Sequence, residues 1–210
     1  MDNLGEIVAE ILEDLESKNT IRDATLQRSR ELIRFCAHSI RAVHRREYDL
    51  AQELLEKARR AADKMVHDLK DFPDIYFAGY TQDALKELAE AHLTYAIIAD
   101  KPIPAPKDIG VEPAAYLNGL GETAGELRRF VLDAIRRDRV DVGERLLEAM
   151  DTIYSHLVTV DYPDAVTGGL RRTTDMVRGV LERSRGDYTN AVRQDKLKEA
   201  LKNLEKRLPS

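Results

Sequence analysis

The chain has 210 residues, 34% charged and 43% hydrophobic, with no tryptophan and a formal net charge of −5. That length buries a core without disulfides or a structural metal, and a single cysteine, Cys36, excludes an intrachain disulfide and reads as a small buried residue rather than a nucleophile. No long apolar run occurs and the opening stretch is acidic, so the expectation is no transmembrane helix, no signal peptide and a cytoplasmic protein.

Leu, Ala, Glu, Arg and Lys dominate, a helix-forming composition. The expected fold is all-α, one domain over residues 1–210 built from six or seven amphipathic helices. Leu4, Ile7, Val8, Ile11, Leu12 and Leu15 recur three and four apart, which predicts a helix over 4–16. Residues 17–20 are either a joint or a polar stretch inside a longer helix. A second helix is expected over 21–46 and a third over 47–70, with Asp49 as its cap. Pro73 is a stop and Gly79 a turn. Thr81 is the expected N-cap of a helix reaching Ile98. Pro102, Pro104 and Pro106 make a stiff extended connector. Helices should follow from Pro113 to about Arg137, from Asp141 to about Val160, and from Ala165 to Arg185. Residues 185–188 read as a turn, and a last helix should run from Thr189 to Leu208.

No glycine-rich phosphate loop, EF-hand loop, H-E-x-x-H pair or G-x-S-x-G elbow is present, and the five histidines show no metal spacing. His92 falls on the apolar side of its helix and reads as a satisfied core histidine. Any chemistry therefore falls to carboxylates. In residues 84–98, Leu85, Leu88, Ala89, His92 and Ala96 share one side of a helix, while Glu87 and Glu90 lie opposite, one turn and about 60° apart. Ala91, Ile97 and Ile98 also lie toward the acid side, which suits a covered face. Two covered acids need a cation, either a divalent metal or an arginine. In residues 117–135 the stripe Leu117, Leu120, Ala124, Leu127, Val131, Ile135 is opposed by Glu122, Glu126, Arg129 and Asp133. Gly119, Gly121 and Gly125 allow another helix or a ligand to approach closely. Paired acids on helices are commonly only solvated or salt-bridged, and the residues alone leave both readings open.

The segments GYTQDALKELAEAH (79–92) and YLNGLGETAGELRR (116–129), with IRDATLQRSRELIRFCAHSIRAVHR (21–45) and YPDAVTGGLRRTTDMVRGVLERSRGDYTNAV (162–192), resemble the translin superfamily over most of the chain. The resemblance is to the branch of translin-associated factor X more than to translin. It implies a seven-helix bundle assembled into a hollow homo-oligomer. It also implies a metal-dependent endoribonuclease acting on single-stranded RNA. The family's catalytic acids, two glutamates one turn apart and an acid on the next helix, map onto Glu87, Glu90 and Glu122. The family commonly has aspartate at the third position, and Glu122 is one methylene longer. Such a set suits Mg²⁺ or Mn²⁺, with Glu126 as a fourth ligand or as a salt-bridge partner of Arg129. Phosphate contacts are sought at Arg28, Arg34, Arg41, Arg45, Arg128, Arg129, Arg171 and Arg172. A net charge of −5 weighs only weakly against nucleic acid, because a local basic site is compatible with it. Single-stranded DNA is a second possible partner. The competing readings are a non-catalytic single-stranded nucleic-acid-binding oligomer of translin type and a helical scaffold.

Overall fold

The computed structural model describes residues 3–206, and no strand occurs among them. The helices there are α1 (Leu4–His44), α2 (Tyr48–Asp68), α3 (Pro73–Tyr76), α4 (Gly79–Ile98), α5 (Pro106–Ile109), α6 (Pro113–Arg136), α7 (Val140–Leu157), α8 (Asp164–Thr167) and α9 (Leu170–Glu205). α3, α5 and α8 are single turns of four residues. The six long helices agree with the periodicity of the sequence. Contacts divide the chain into two compact units, one ending at Gly119 and one beginning at Leu120. α6 runs unbroken through that division.

In the first unit α1 packs on α2 and α4. The polar stretch 17–20 is helix, part of one 41-residue α1. The Thr20 and Thr25 hydroxyls donate back to the carbonyls of Glu16 (3.0 Å) and Ile21 (2.8 Å), so neither competes with the helix for a backbone donor. The core joins Leu32, Cys36, Ile40 and Val43 of α1 to Leu55 and Met65 of α2 and to Leu85, Leu88 and Leu93 of α4. Ala51, Ala58 and Ala62 keep α2 thin enough for close packing. Ser39, fully buried, donates its hydroxyl to the Ala51 carbonyl (2.9 Å).

The ends of these helices depart from expectation in small, explicable ways. α2 starts at Tyr48, so Asp49 sits inside its first turn, where its charge suits the helix dipole. Gly79 opens α4 instead of preceding it, because extended Ala78 takes the cap position. Thr81 is therefore not a cap; it is fully buried and donates to the Ile75 carbonyl (2.8 Å). The proline connector closes with α5, whose Asp108 carboxylate accepts the Ala105 N–H (2.9 Å). Tyr76 donates to Glu112 (2.9 Å) and Tyr116 to the Pro104 carbonyl (2.9 Å), and the two bonds fix where α6 begins.

In the second unit Ala124, Leu127 and Val131 of α6, Leu146, Met150 and Leu157 of α7, and Val177 and Leu181 of α9 are buried. Gly168 and Gly169, at φ of 62° and 82°, break α8 from α9 in backbone regions open to glycine. The turn expected at 185–188 does not form: α9 is continuous from Leu170 to Glu205. Tyr188 packs over Gly143, where a Cβ would come within 2.7 Å of the ring. Arg128 donates to the Ser184 hydroxyl (3.1 Å) and pairs with Asp187 (2.8 Å). These tertiary contacts on both sides of Gly186 outweigh its low helix propensity. The expected helix end at Leu208 and the first two residues of the acidic opening lie outside the described residues. No helix among the described residues is long and apolar enough to cross a membrane.

Candidate metal centre

Glu87 and Glu90 lie one turn apart on α4 because that helix buries the opposite stripe, Leu85, Leu88 and Ala89, against the first unit's core. Glu90 is only 9% exposed. α6 comes against α4 at this level through Gly119. A Cβ on Gly119 would stand 2.7 Å from the Lys86 carbonyl oxygen and 3.0 Å from the Glu90 nitrogen. Only glycine allows so short a helix-to-helix distance at that position. Glu122 follows Gly119 by three residues on the same unbroken helix. One carboxylate oxygen from each of Glu87, Glu90 and Glu122 lies within 4.8 Å of the others.

Cys36 faces these acids from α1. Burial pushes its thiol well above the ordinary range, and the negative charges of Glu87 and Glu90 push it further. The ligand atoms that come together are carboxylate oxygens, one from each glutamate. Oxygens around Mg²⁺ or Mn²⁺ stand about 3 to 4 Å apart, so small side-chain rotations bring this group onto one ion. The three glutamates could therefore hold a divalent metal.

No family model matches the chain. An uncharacterised protein of Methanocaldococcus jannaschii is 34% identical over 194 residues, 91% of this chain and 85% of that protein. The structure of AfC3PO in complex with duplex RNA shares 34% identity at a TM-score of 0.80, covering 88% of this chain and 95% of that one. AfC3PO alone gives 33% and 0.79, covering 88% and 96%. Apo-NeC3PO, at 21% identity and a TM-score of 0.78, shares the fold, over 88% of this chain and 96% of its own. The chain belongs to the translin superfamily, on the side of translin-associated factor X.

In this translin-superfamily chain Glu126 stands outside the group of three, with its carboxylate 4.0 Å from Arg129. Of the arginines singled out from sequence, three are engaged in holding the fold. Arg28 pairs with Asp68, tying α1 to α2. Arg45 makes a two-pronged pair with Glu47 (3.0 and 2.7 Å) at the α1–α2 bend. Arg128 ties α6 to α9. The others are exposed: Arg34 near Glu31 (3.7 Å), Arg41 donating to its own helix at Ala37 (3.1 Å), Arg129, and Arg171 and Arg172 at the start of α9.

A groove of about 620 Å³ that the sequence pattern does not disclose lies in the first unit, walled by Arg59, Arg60, His92, Tyr95, Lys101 and Asp108. His92 is not a satisfied core histidine. Its Nε2 is buried with no hydrogen-bond partner, and burial, helped by the Arg59 charge, lowers its pKa to about 4. The adjacent pair Arg59-Arg60 was the one sign of this groove in the sequence.

Proposed function

We propose that the protein is a metal-dependent endoribonuclease that cleaves single-stranded RNA inside a hollow homo-oligomer in the cytoplasm. The observation that carries this reading is the convergence of Glu87, Glu90 and Glu122 within 4.8 Å on two helices locked together at Gly119. A pure phosphate binder gains nothing from three acids in contact, since they repel the ligand. Mg²⁺ or Mn²⁺, when bound, would polarise a phosphate oxygen and acidify a water. Glu87, Glu90 and Glu122 would hold that ion. Burial of Glu90 fixes its side chain and limits the water that reaches the site. The exposed arginines Arg34, Arg41, Arg129, Arg171 and Arg172 can meet the phosphates of the strand on either side, and Arg28, Arg45 and Arg128 can do so from their ion pairs. Glu126 would keep Arg129 in place, or join the ligand set on rotation. No ladder of aromatic residues accompanies the arginines, so little sequence preference follows.

The similarity to AfC3PO, whose structure holds duplex RNA, brings a duplex into the test beside single strands of RNA and DNA. End-labelled single-stranded RNA, its duplex and single-stranded DNA are each incubated with protein and Mg²⁺, Mn²⁺ or EDTA. The same gel carries Glu90→Gln. Cleavage of the RNA single strand is expected only with metal. The variant should cut at least about 100-fold more slowly while retaining RNA in a filter assay. Products should carry 5′-phosphate and 3′-hydroxyl ends. Binding without cleavage under either metal would instead make the protein a nucleic-acid-binding oligomer.

A further inference from the structure

Among the described residues, two long stretches of helix are largely exposed. In α1 every residue from Leu4 to Ser17 is exposed, a projection of about 21 Å. Along it Leu4, Ile7, Val8, Ile11, Leu12 and Leu15 form one apolar face, each 44 to 60% exposed. The steps from Leu4 to Val8, Ile11 and Leu15 alternate four and three, the spacing of a coiled-coil seam. At the far end of α9, Leu197, Leu201 and Leu204 repeat the same four-three step and are 53 to 60% exposed. Helices of this length are marginal in water on their own, and an apolar seam of this kind is stable only when packed.

Their charges are opposite. Residues 4–17 carry five acids (Glu6, Glu10, Glu13, Asp14, Glu16) and no lysine or arginine. Residues 193–206 carry five bases (Arg193, Lys196, Lys198, Lys202, Lys206) against three acids. Advancing about 100° per residue, Asp14 and Glu16 border the α1 seam; Arg193 and Lys196 border one side of the α9 seam, and Lys198 borders the other beside Glu205, with Lys202 just beyond. Asp14 also reaches Lys18 (3.4 Å) and Lys198 reaches Asp138 (3.9 Å), both as exposed pairs. Two α1 seams brought together would set five acids against five. Two α9 seams would set one net positive stretch, five bases against three acids, on another. An α1 seam against an α9 seam matches both apolar spacing and charge.

We infer that the acidic apolar face of α1 in one copy of the chain packs on the basic apolar face of α9 in a second copy. The contact is complementary and not self-complementary, so it closes as a two-fold pair, with each copy giving both faces, or as a ring. This rests on the homo-oligomer proposed above and specifies its interface; it does not involve the metal centre.

Sedimentation velocity of the full chain, without RNA or metal, tests it independently of cleavage. The wild type should sediment as an oligomer. Ile11→Asp with Leu15→Asp, and separately Leu201→Asp, should move the mass toward the 23.8 kDa of one chain, with a cooperative thermal transition retained. Lys196→Glu with Lys202→Glu should weaken association about tenfold, equal to about 1.4 kcal/mol, and Asp14→Lys with Glu16→Lys likewise. All four together should recover most of the loss. A monomeric wild type, wild-type mass in the aspartate variants, or a combined variant no tighter than its halves would each overturn the inference. A monomer that still cleaves RNA would overturn this interface and the oligomer while leaving the ribonuclease reading in place.

Discussion

At the scale of single residues, Tyr76 shows how one hydroxyl fixes the entry to the site helix. Its phenol donates to Glu112 (2.9 Å), the residue before α6 begins at Pro113. Burial, then the bond to the Glu112 carboxylate, raises its pKa to about 12 from the ordinary 10. Between those values the folded chain keeps a proton that the unfolded chain has lost, so stability falls as pH rises through that window. Tyr76→Phe should cost about 1 kcal/mol near neutral pH and should lose less than the wild type between about pH 9 and 11. Urea midpoints for both proteins at the two pH values check this. Parallel curves would mean that the Glu112 bond does not hold the phenol in its protonated form.

Among the helices, the crossing of α6 on α4 governs the acids. Glu87 and Glu90 are set by α4 alone, but Glu122 depends on α6 staying at the distance Gly119 permits. Gly119→Ala places a methyl 2.7 Å from a backbone carbonyl that cannot rotate away. The helices must part, at a cost of about 1 to 3 kcal/mol. Under the proposed function, cleavage should then fall by more than the stability loss accounts for, with RNA affinity little changed. Gly125→Ala is the control, since nothing lies within 4 Å of its Cβ position, and it should keep full activity. Alanine raises helix propensity at both positions, so equal losses in the two variants would show that the close spacing at Gly119 is not what holds the acids together. The acid pair on α4, the apolar stripes and the proline-bounded ends of α4 and α6 were legible in the sequence because they are local and periodic. The role of Gly119 was half legible, as a place for something to come near. What the sequence hid is set by distant residues. α9 passes through Gly186 because its own Tyr188 packs over Gly143 of α7 and Arg128 of α6 holds Ser184 and Asp187 on either side of the glycine. Thr81 looked like a cap and is buried because Ile75, six residues earlier, takes its hydroxyl. The meeting of Glu122 with Glu87 and Glu90 is a contact more than thirty residues apart in sequence, and only the family resemblance pointed to it.

For the molecule as a whole, the three acids make stability a readout of metal that needs no RNA. An ion that binds the folded chain and not the unfolded one adds about 2.7 kcal/mol at 100 times its dissociation constant. For a chain of this size that is a rise of about 5 to 10 °C in melting temperature. Mn²⁺ should produce such a rise in the wild type, and EDTA should reverse it. Glu87→Gln, Glu90→Gln and Glu122→Gln each remove one charged ligand, and in each the rise should shrink to about 2 °C or less. Glu126→Gln separates the two roles open to that residue. A full rise would leave it as the partner of Arg129 seen at 4.0 Å, and a reduced one would make it a fourth ligand. A chain of net charge −5 attracts divalent ions diffusely, but that screening responds to 0.15 M salt and does not distinguish one glutamate from another. A Mn²⁺ shift that persists at such salt and disappears in the three variants therefore locates the ion among Glu87, Glu90 and Glu122. A shift unchanged in all three would place it elsewhere and remove the basis for metal-dependent cleavage at this site.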